Sequence, residues 1–248
     1  AQPMHVLGDF AAKKLGFKRV AAIADDFTYG HEGVGGFQAA FEEAGGRVVQ
    51  KLWPPLNVGD YGSYIGQINP DADAIYAGFA GINGLRFLKQ AAEFGMKKTV
   101  LGNPTVVDEG VLRNMGDYAL GVYSASWYSA ELDTPENKRF VAAVMKKYNV
   151  VPRFYTVGTY VPGMQLEAAL NLIDGRIEDQ PPFVRALHEA RLEKSPIGPI
   201  YIDEYGKPVL NIYVRKVERK DGRLVNSIVA TYPKVSQFLN FDPKKFLA

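Results

Sequence analysis

Residues 19–37 read RVAAIADDFTYGHEGVGGF, and this stretch decides the fold. A short apolar run is followed by an acidic, aromatic, glycine-spaced turn and then by residues with helical spacing. Units of this kind build α/β folds, in which ligands bind beyond the carboxyl ends of parallel strands. The turn after Ala24 is therefore predicted to lie at the edge of a sheet that holds a small molecule.

The same alternation of strands and helices continues to about residue 126, and it predicts a parallel sheet flanked by helices. The predicted strands are nearly continuous apolar runs, which is typical of strands covered on both faces. Three helices without intervening strands follow, and Thr134 with Pro135 marks the start of the first. Alternating residues with turns at 203–208 and 220–223 then predict C-terminal β-hairpins. The predicted strands are 19–25, 47–53, 73–79, 98–103 and 118–126.

The composition excludes several classes of function. The 248 residues carry a net charge of +2 with acidic and basic residues interspersed, so no nucleic-acid surface is expected. The most basic stretch, Arg215–Arg223, reads as the charged tip of a hairpin. The absence of cysteine excludes thiol catalysis, thiolate metal sites and disulfides. No apolar run approaches the ~18 residues of a membrane span.

A catalytic or cofactor-binding role is not expected from the motifs. The three histidines, His5, His31 and His188, have no metal-ligand spacing and are interpreted as ordinary helix residues. Asp25 and Asp26 are interpreted as caps of the turn. The glycines of residues 30–36 begin too far from the strand to hold a dinucleotide pyrophosphate. We therefore predict no catalytic residue, no metal and no cofactor.

The favoured interpretation is a binding site built from three strand ends. Aromatic rings, small residues and hydroxyl or amide side chains follow three of the predicted strands, which is the profile of a pocket for a small, partly apolar ligand. The candidate residues are Phe27, Thr28 and Tyr29 after the first strand, Phe79, Ala80 and Asn83 after the next, and Asn103 and Thr105 after the third.

The order of these segments resembles a known family. The stretch from Lys13 to Val49, the segment GDYGSYIGQINPDADAIYAGFAGINGLRFLKQAAEFGM and the later GTYVPGMQLEAAL and IGPIYIDEYGKPVLNIYVRKVE are similar to type I periplasmic solute-binding proteins of ABC transporters, the leucine/isoleucine/valine-binding protein family. The resemblance covers essentially the whole chain and implies the periplasmic-binding-protein type I fold.

The resemblance also implies an organisation. Members have two lobes, and this chain begins where the second lobe begins. Residues 1–123 and 197–248 are then expected to form lobe two, and residues 124–196 the helical remainder of lobe one. We expect a fragment that lacks the first part of lobe one. Its uncovered helices, with Phe140, Val144, Leu166 and Leu170, would either repack or self-associate.

The function implied is a periplasmic or extracellular one, for a mature chain whose signal peptide has been removed. The protein would bind a small organic solute between two lobes and deliver it to the membrane permease of a branched-chain amino-acid-type ABC transporter, without being an enzyme. The solute would be an aromatic or aliphatic carboxylate, an amide or an amino acid. The alternatives are an α/β enzyme, such as a dehydrogenase or hydrolase, and a ligand-sensing module of the same fold.

Carried over by position, Tyr29 matches a family aromatic that closes on the ligand, and Phe79 or Ala80 matches a second one. Pro104 and Thr105 stand where amino-acid binders carry an acid for the ligand's ammonium group. Because a buried cation needs a carboxylate partner, a carboxylate or an amide is the better expected ligand. Asp108 and Glu109, a few residues further on, are the alternative partners for an ammonium group.

Overall fold

The computed structural model describes residues 2–247, which form two compact units. The first unit consists of the chain up to Ser126 together with Tyr213–Ala230, and the second of Trp127–Ile212 together with the chain from Thr231 onward. The second unit is larger than the predicted segment 124–196. The reason is local packing: the strand at Ile200–Ile202 pairs with Pro208–Leu210, and the ring of Tyr205 lies 5.1 Å from that of Phe238.

The first unit alternates strands and helices, as the sequence predicted. In chain order its elements are α1 (Gln2–Lys13), β1 (Arg19–Ala24), α2 (Thr28–Glu43), β2 (Arg47–Leu52), α3 (Gly62–Gln67), β3 (Ala74–Gly78), α4 (Ile82–Glu93), β4 (Thr99–Gly102), α5 (Glu109–Leu112), a short 3-10 helix (Asp117–Ala119) and β5 (Tyr123–Ser126).

These five strands form a parallel sheet in the order β2-β1-β3-β4-β5. Later in the chain, β7 (Pro208–Lys220) pairs with β5 in antiparallel fashion, and β8 (Arg223–Val235) pairs with β7. Asp221 and Gly222 connect β7 to β8 with positive φ angles, as the type I′ turn of a hairpin requires. The predicted α/β class, parallel sheet and C-terminal hairpin are confirmed.

Helices cover both faces of the sheet because the side chains of each strand alternate between them. On one face, the ring of Tyr76 in β3 stacks at 4.5 Å on Phe37 of α2. On the other face, Ile75 and Ala77 join an apolar cluster that includes Phe87 of α4. The strands are therefore apolar on both sides, which explains their continuous hydrophobic runs.

Helix α2 begins at Thr28, within the stretch that the sequence indicated as a turn. Phe27 is extended and immediately precedes the helix, so Tyr29 lies in its first turn. The early start depends on Gly30. A Cβ atom at this position would lie 2.0 Å from the backbone oxygen of Asp25, so only glycine allows the helix to start so close to the strand end.

The second unit is helical with a short strand pairing. Thr134 caps its first helix, as predicted, by accepting a hydrogen bond from the backbone N–H of Asn137 at 3.2 Å. In chain order its elements are α6 (Pro135–Tyr148), α7 (Phe154–Leu172), α8 (Gln180–Glu189), β6 (Ile200–Ile202), which pairs with the start of β7, and α9 (Pro243–Leu247).

The apolar faces of these helices are covered in part. Phe140 and Val144 are buried, which agrees with repacking, one of the two expected outcomes; the ring of Tyr160 lies 4.8 Å from that of Phe140. Leu166 is 42% exposed, as expected. A groove of about 530 Å³ lies beside α6 and α7; its lining combines apolar side chains, among them Phe140, Val144, Tyr148, Tyr160 and Met164, with the charged Glu136, Arg139, Lys147 and Lys194.

Candidate functional site

Three loops meet at the carboxyl edge of the parallel sheet in the first unit. β3 is hydrogen-bonded in parallel to β1 on one side and to β4 on the other, so the three strand ends are neighbours. We name the following segments the β1 loop (residues 25–27), the β3 loop (79–81) and the β4 loop (103–109). Together with the first turns of α2 and α4, they carry all eight predicted site residues.

Tyr29 and Thr105 are brought together by a chain of hydrogen bonds. The hydroxyl oxygens of the two residues are 3.0 Å apart, although 76 residues separate them in sequence. The Thr105 hydroxyl also lies 2.7 Å from the backbone oxygen of Phe79 and 3.0 Å from Oδ1 of Asn103. A threonine hydroxyl has one proton, so it donates to one of these oxygens and accepts from Tyr29. Tyr29 and Thr105, with the oxygens of Phe79 and Asn103 as alternative acceptors, therefore form one polar relay that joins α2 to the β3 and β4 loops.

A buried carboxylate joins the β1 and β3 loops. Oδ2 of Asp25 accepts from the backbone N–H of Ala80 at 2.8 Å, and Oδ1 accepts from Nδ2 of Asn83 at 2.9 Å. The same Asn83 nitrogen donates to the backbone oxygen of Leu56 at 2.9 Å. Both amide hydrogens of Asn83 are thus used within the fold. Asn83 was predicted to contact the ligand. In the structure its amide nitrogen instead joins the first turn of α4 to the β1 loop and to the loop that contains Leu56.

Asp25 is more than the turn cap that the sequence indicated. Its side chain is fully buried, and this burial raises the pKa of the carboxyl group. The hydrogen bonds from Ala80 and Asn83 act in the opposite direction and stabilise the ionised form. A carboxylate kept in this position gives the β1 and β3 loops a fixed spacing.

The remaining predicted residues divide into an exposed and a buried set. Phe27 and Thr28 are exposed, and the ring of Phe27 lies 6.1 Å from that of Tyr29, while Ala80 is half-buried. Asn103 and Thr105 lie buried behind them. The ring of Phe79 lies in the apolar core, 4.9 Å from Phe87 and 5.3 Å from Tyr61, so only its backbone reaches the edge.

The glycines of α2 serve close packing. A Cβ at Gly30 would collide with the β1 loop, and a Cβ at Gly33 would lie 2.9 Å from the hydroxyl of Tyr76 in β3. Both positions bring α2 against the sheet. Within residues 2–247, no group of three or more His, Asp or Glu side chains is placed to hold a metal ion.

Sequence reasoning missed a cluster of charged side chains behind the β4 loop. Arg215 of β7 is fully buried, so its assignment to an exposed hairpin tip was wrong. Its Nη1 lies 3.7 Å from Oε1 of Glu109, its Nε donates to Oγ of Ser124 at 3.1 Å, and its Nη2 donates to the backbone oxygen of Pro104 at 3.3 Å. The signal was available in the sequence: Arg215 interrupts the apolar strand residues 209–217.

Asn226 of β8 completes this cluster. Its Nδ2 donates to the backbone oxygen of Val107 at 2.8 Å and to Oε1 of Glu109 at 3.2 Å. Burial raises the pKa of Glu109 and lowers that of Arg215, and each group opposes the shift of the other. Asp108 is also buried and stabilises the Arg215 charge. Both acids of the β4 loop therefore face a buried guanidinium.

An open α/β sheet with polar and aromatic side chains at its carboxyl edge is the arrangement in which such folds bind small ligands. A model of the periplasmic binding protein family matches residues 1–223, which is most of the chain. The chain belongs to this family. The resemblance drawn from the segment order is thereby confirmed.

Known proteins agree with this assignment. The chain is 29% identical over 228 residues to Leu/Ile/Val-binding protein homolog 6 of Brucella melitensis, covering 88% of this chain and 58% of the relative. An ABC transporter substrate-binding protein from Sphaerobacter thermophilus superposes with a TM-score of 0.91 at 31% identity, covering 94% of this chain and 65% of that protein. A solute-binding protein of an ABC transporter from Rhodopseudomonas palustris BisB5 was solved in complex with 3,4-dihydroxybenzoic acid. It superposes with a TM-score of 0.86 at 35% identity, covering 98% of this chain and 66% of that protein.

The chain thus spans roughly three fifths to two thirds of the length of these relatives. Among the described residues, no helix is both long and apolar enough to cross a membrane.

Proposed function

We propose that this chain is the greater part of a solute-binding protein of a branched-chain amino-acid-type ABC transporter, and that its carboxyl-edge loops bind a small organic acid. The observation that carries the proposal is the relay of Tyr29 and Thr105, whose hydroxyl groups join the first turn of α2 to the β3 and β4 loops beside the exposed ring of Phe27. Such a site grips an aromatic or aliphatic solute through its apolar body and a few polar atoms. Family membership supports binding rather than catalysis.

The buried cluster favours a carboxylate or an amide over an amino acid. Asp108 and Glu109 were the acids available for a ligand's ammonium group, but Glu109 is ion-paired with Arg215, and the buried Asp108 accepts a hydrogen bond from the backbone N–H of Gly110. An ammonium group enclosed without a carboxylate partner is costly. The aromatic acid bound by the Rhodopseudomonas palustris relative supports the same class. Amino acids are the second class to test, because the Brucella melitensis relative is named for them.

In this proposal the first unit is the ligand-binding part of lobe two, and the second unit is the helical part of lobe one. The solute is enclosed when two lobes close about their crossover strands, and the closed form is recognised by a membrane permease. This role places the protein in the periplasm or outside the cell. The family match and the named relatives support these partners and this location.

The test is a titration of the 15N-labelled chain with 3,4-dihydroxybenzoate, benzamide and L-leucine, followed by NMR. Spectra detect binding at millimolar ligand, so weak binding by this length of chain is measured. We expect 3,4-dihydroxybenzoate to shift the backbone amides of Tyr29, Ala80 and Thr105 together, with benzamide weaker and L-leucine weakest. Saturable shifts confined to other surfaces, or none with any of the three, would contradict the proposal.

A further inference from the structure

The β4 loop is held by side chains that come from the far end of the chain. Arg215 and Asn226 belong to β7 and β8, yet their hydrogen bonds run to the backbone oxygens of Pro104 and Val107. These two oxygens flank Thr105, whose hydroxyl meets Tyr29. The guanidinium of Arg215 is therefore one residue away from the polar relay, separated from it by the peptide of Pro104.

Arg215 also sets the charge behind the relay. The β4 loop contributes two buried carboxyl groups, Asp108 and Glu109, and Arg215 is the cation that stabilises both. Its charge also interacts favourably with the ionised form of the Tyr29 hydroxyl, so its field extends to the relay. Charges inside a protein are weakly screened, and a change of one unit at this place is felt at the relay.

We propose that Arg215 is a specificity-determining residue: its single positive charge offsets one of the two acid charges behind the β4 loop and so shifts the preference of the Tyr29–Thr105 relay away from an ammonium group and toward an anionic or neutral solute head group. This inference rests on the proposed function, since it concerns the same site. It goes beyond that function by naming the side chain that sets the charge preference, although Arg215 itself is too deeply buried to touch a solute.

A purely structural role for Arg215 predicts something different. If the guanidinium only fastens the β4 loop, removing its charge weakens all solutes equally. If it sets the local charge, the change depends on the sign of the solute. Benzoate, benzamide and benzylamine have similar size and shape and carry charges of −1, 0 and +1, so their relative affinities separate the two roles.

Glu109→Gln is the less disruptive variant, because a glutamine still accepts the hydrogen bond from Asn226 and Arg215 keeps its electrostatic interaction with Asp108. We expect the ratio of benzoate affinity to benzylamine affinity to rise about fivefold in Glu109→Gln and to fall about tenfold in Arg215→Met. Changes of this size are expected when one buried charge is removed at an effective dielectric constant of about 20. Arg215→Lys, which keeps the charge, serves as the control and should retain the ratio of the unaltered chain. Equal losses for all three solutes in every variant would overturn the inference.

A second readout requires no solute. Tyr29 reports the local potential through its own pKa, followed by the 13Cζ resonance of labelled tyrosine. Tyr29 faces Tyr76 on β3 as well as Arg215 on β7, with Asp108 and Glu109 behind the arginine. The titrations are therefore made in a Tyr76→Phe background, and Tyr29→Phe assigns the resonance.

We expect Glu109→Gln to lower the pKa of Tyr29 and Arg215→Met to raise it, each by about 0.5 pH unit or more. An unchanged pKa in both variants overturns the inference, whatever the solutes do. If the pKa moves as expected and none of the three solutes binds, the electrostatic role stands and the proposed solute class fails. Losing one partner of a buried ion pair is destabilising, so thermal melts are used to check that Arg215→Met is folded. If Arg215→Met is unfolded, the result for Glu109→Gln alone supports or overturns the inference.

Discussion

At the scale of the residue, the candidate site depends on Tyr29. Its ring lies in the first turn of α2, half-buried, and its hydroxyl is fixed by Thr105 at 3.0 Å. An aromatic side chain held in this way offers a rigid apolar surface and one oriented polar atom. Phe27, exposed beside it, extends the same apolar surface.

We predict that Tyr29→Ala weakens the binding of 3,4-dihydroxybenzoate by about 1–3 kcal/mol, roughly 5- to 150-fold, because a buried ring contact and a hydrogen bond are lost. Isothermal calorimetry or the NMR titration measures this change. The matched control is Phe94→Ala, an exposed aromatic at the opposite end of α4, about 18 Å from the site edge. An affinity that Tyr29→Ala leaves unchanged would remove Tyr29 from the site.

At the scale of the element, the start of α2 determines where Tyr29 lies. The helix can begin at Thr28 only because Gly30 passes close to the backbone of Asp25. Adding a methyl group there pushes the first turn away from the strand end. The side chain of Tyr29 would then leave Thr105, so fold stability and the relay are linked at this glycine.

We predict that Gly30→Ala lowers the free energy of unfolding by about 1–3 kcal/mol, as expected for overpacking against rigid backbone. Urea denaturation followed by circular dichroism measures this loss. Gly35→Ala, on the exposed side of the same helix with open space around its Cβ, is the control. It should be neutral or raise the stability by up to about 1 kcal/mol, because alanine is the better helix former. Similar losses at both glycines would show that close packing at Gly30 is not the cause.

Local patterns predicted the elements well because each depends on nearby residues. The apolar strands, the cap at Thr134 and the hairpin turn at residues 220–223 follow from short-range rules, and the structure agrees. The meeting of Tyr29 with Thr105 also followed, since parallel strand ends share one edge.

Other features were beyond local patterns or were misjudged. The ring of Phe79 continues the face of Ile75 and Ala77, and this two-residue period places it in the core. The pairing of Arg215 with Glu109 joins residues more than 100 positions apart. No local rule selects such a partner, although a charged residue within an apolar strand marks the need for one.

At the scale of the whole molecule, the second unit keeps considerable apolar surface exposed. Tyr155, Tyr160 and Leu166 of α7 are 58%, 50% and 42% exposed, and Tyr160 also lines the groove of about 530 Å³. Large exposed apolar side chains of this kind commonly mark a contact with another chain or domain. The chain as given is therefore expected to bury this surface against a second copy.

We predict that light scattering at micromolar concentration gives a mass above that of the 27.4 kDa monomer and that the mass falls on dilution. Leu166→Lys should favour the monomer, because the charge opposes burial of the apolar face. Phe94→Lys, at an even more exposed apolar position of the first unit, serves as the control and should leave the mass unaltered. A clean monomer at every concentration would show that this face stays exposed.

The contacts of Arg215 and Asn226 have a consequence for the order in which the site is made. They close spans of 111 and 119 residues, whereas the neighbouring parallel strands pair over shorter distances along the chain. A ribosome must have passed position 226 before the segment beneath Thr105 receives its last support. The strands of the candidate site thus come early in the chain, while the side chains that support its β4 loop come late. A chain that ends before β8 therefore has these strands without that support.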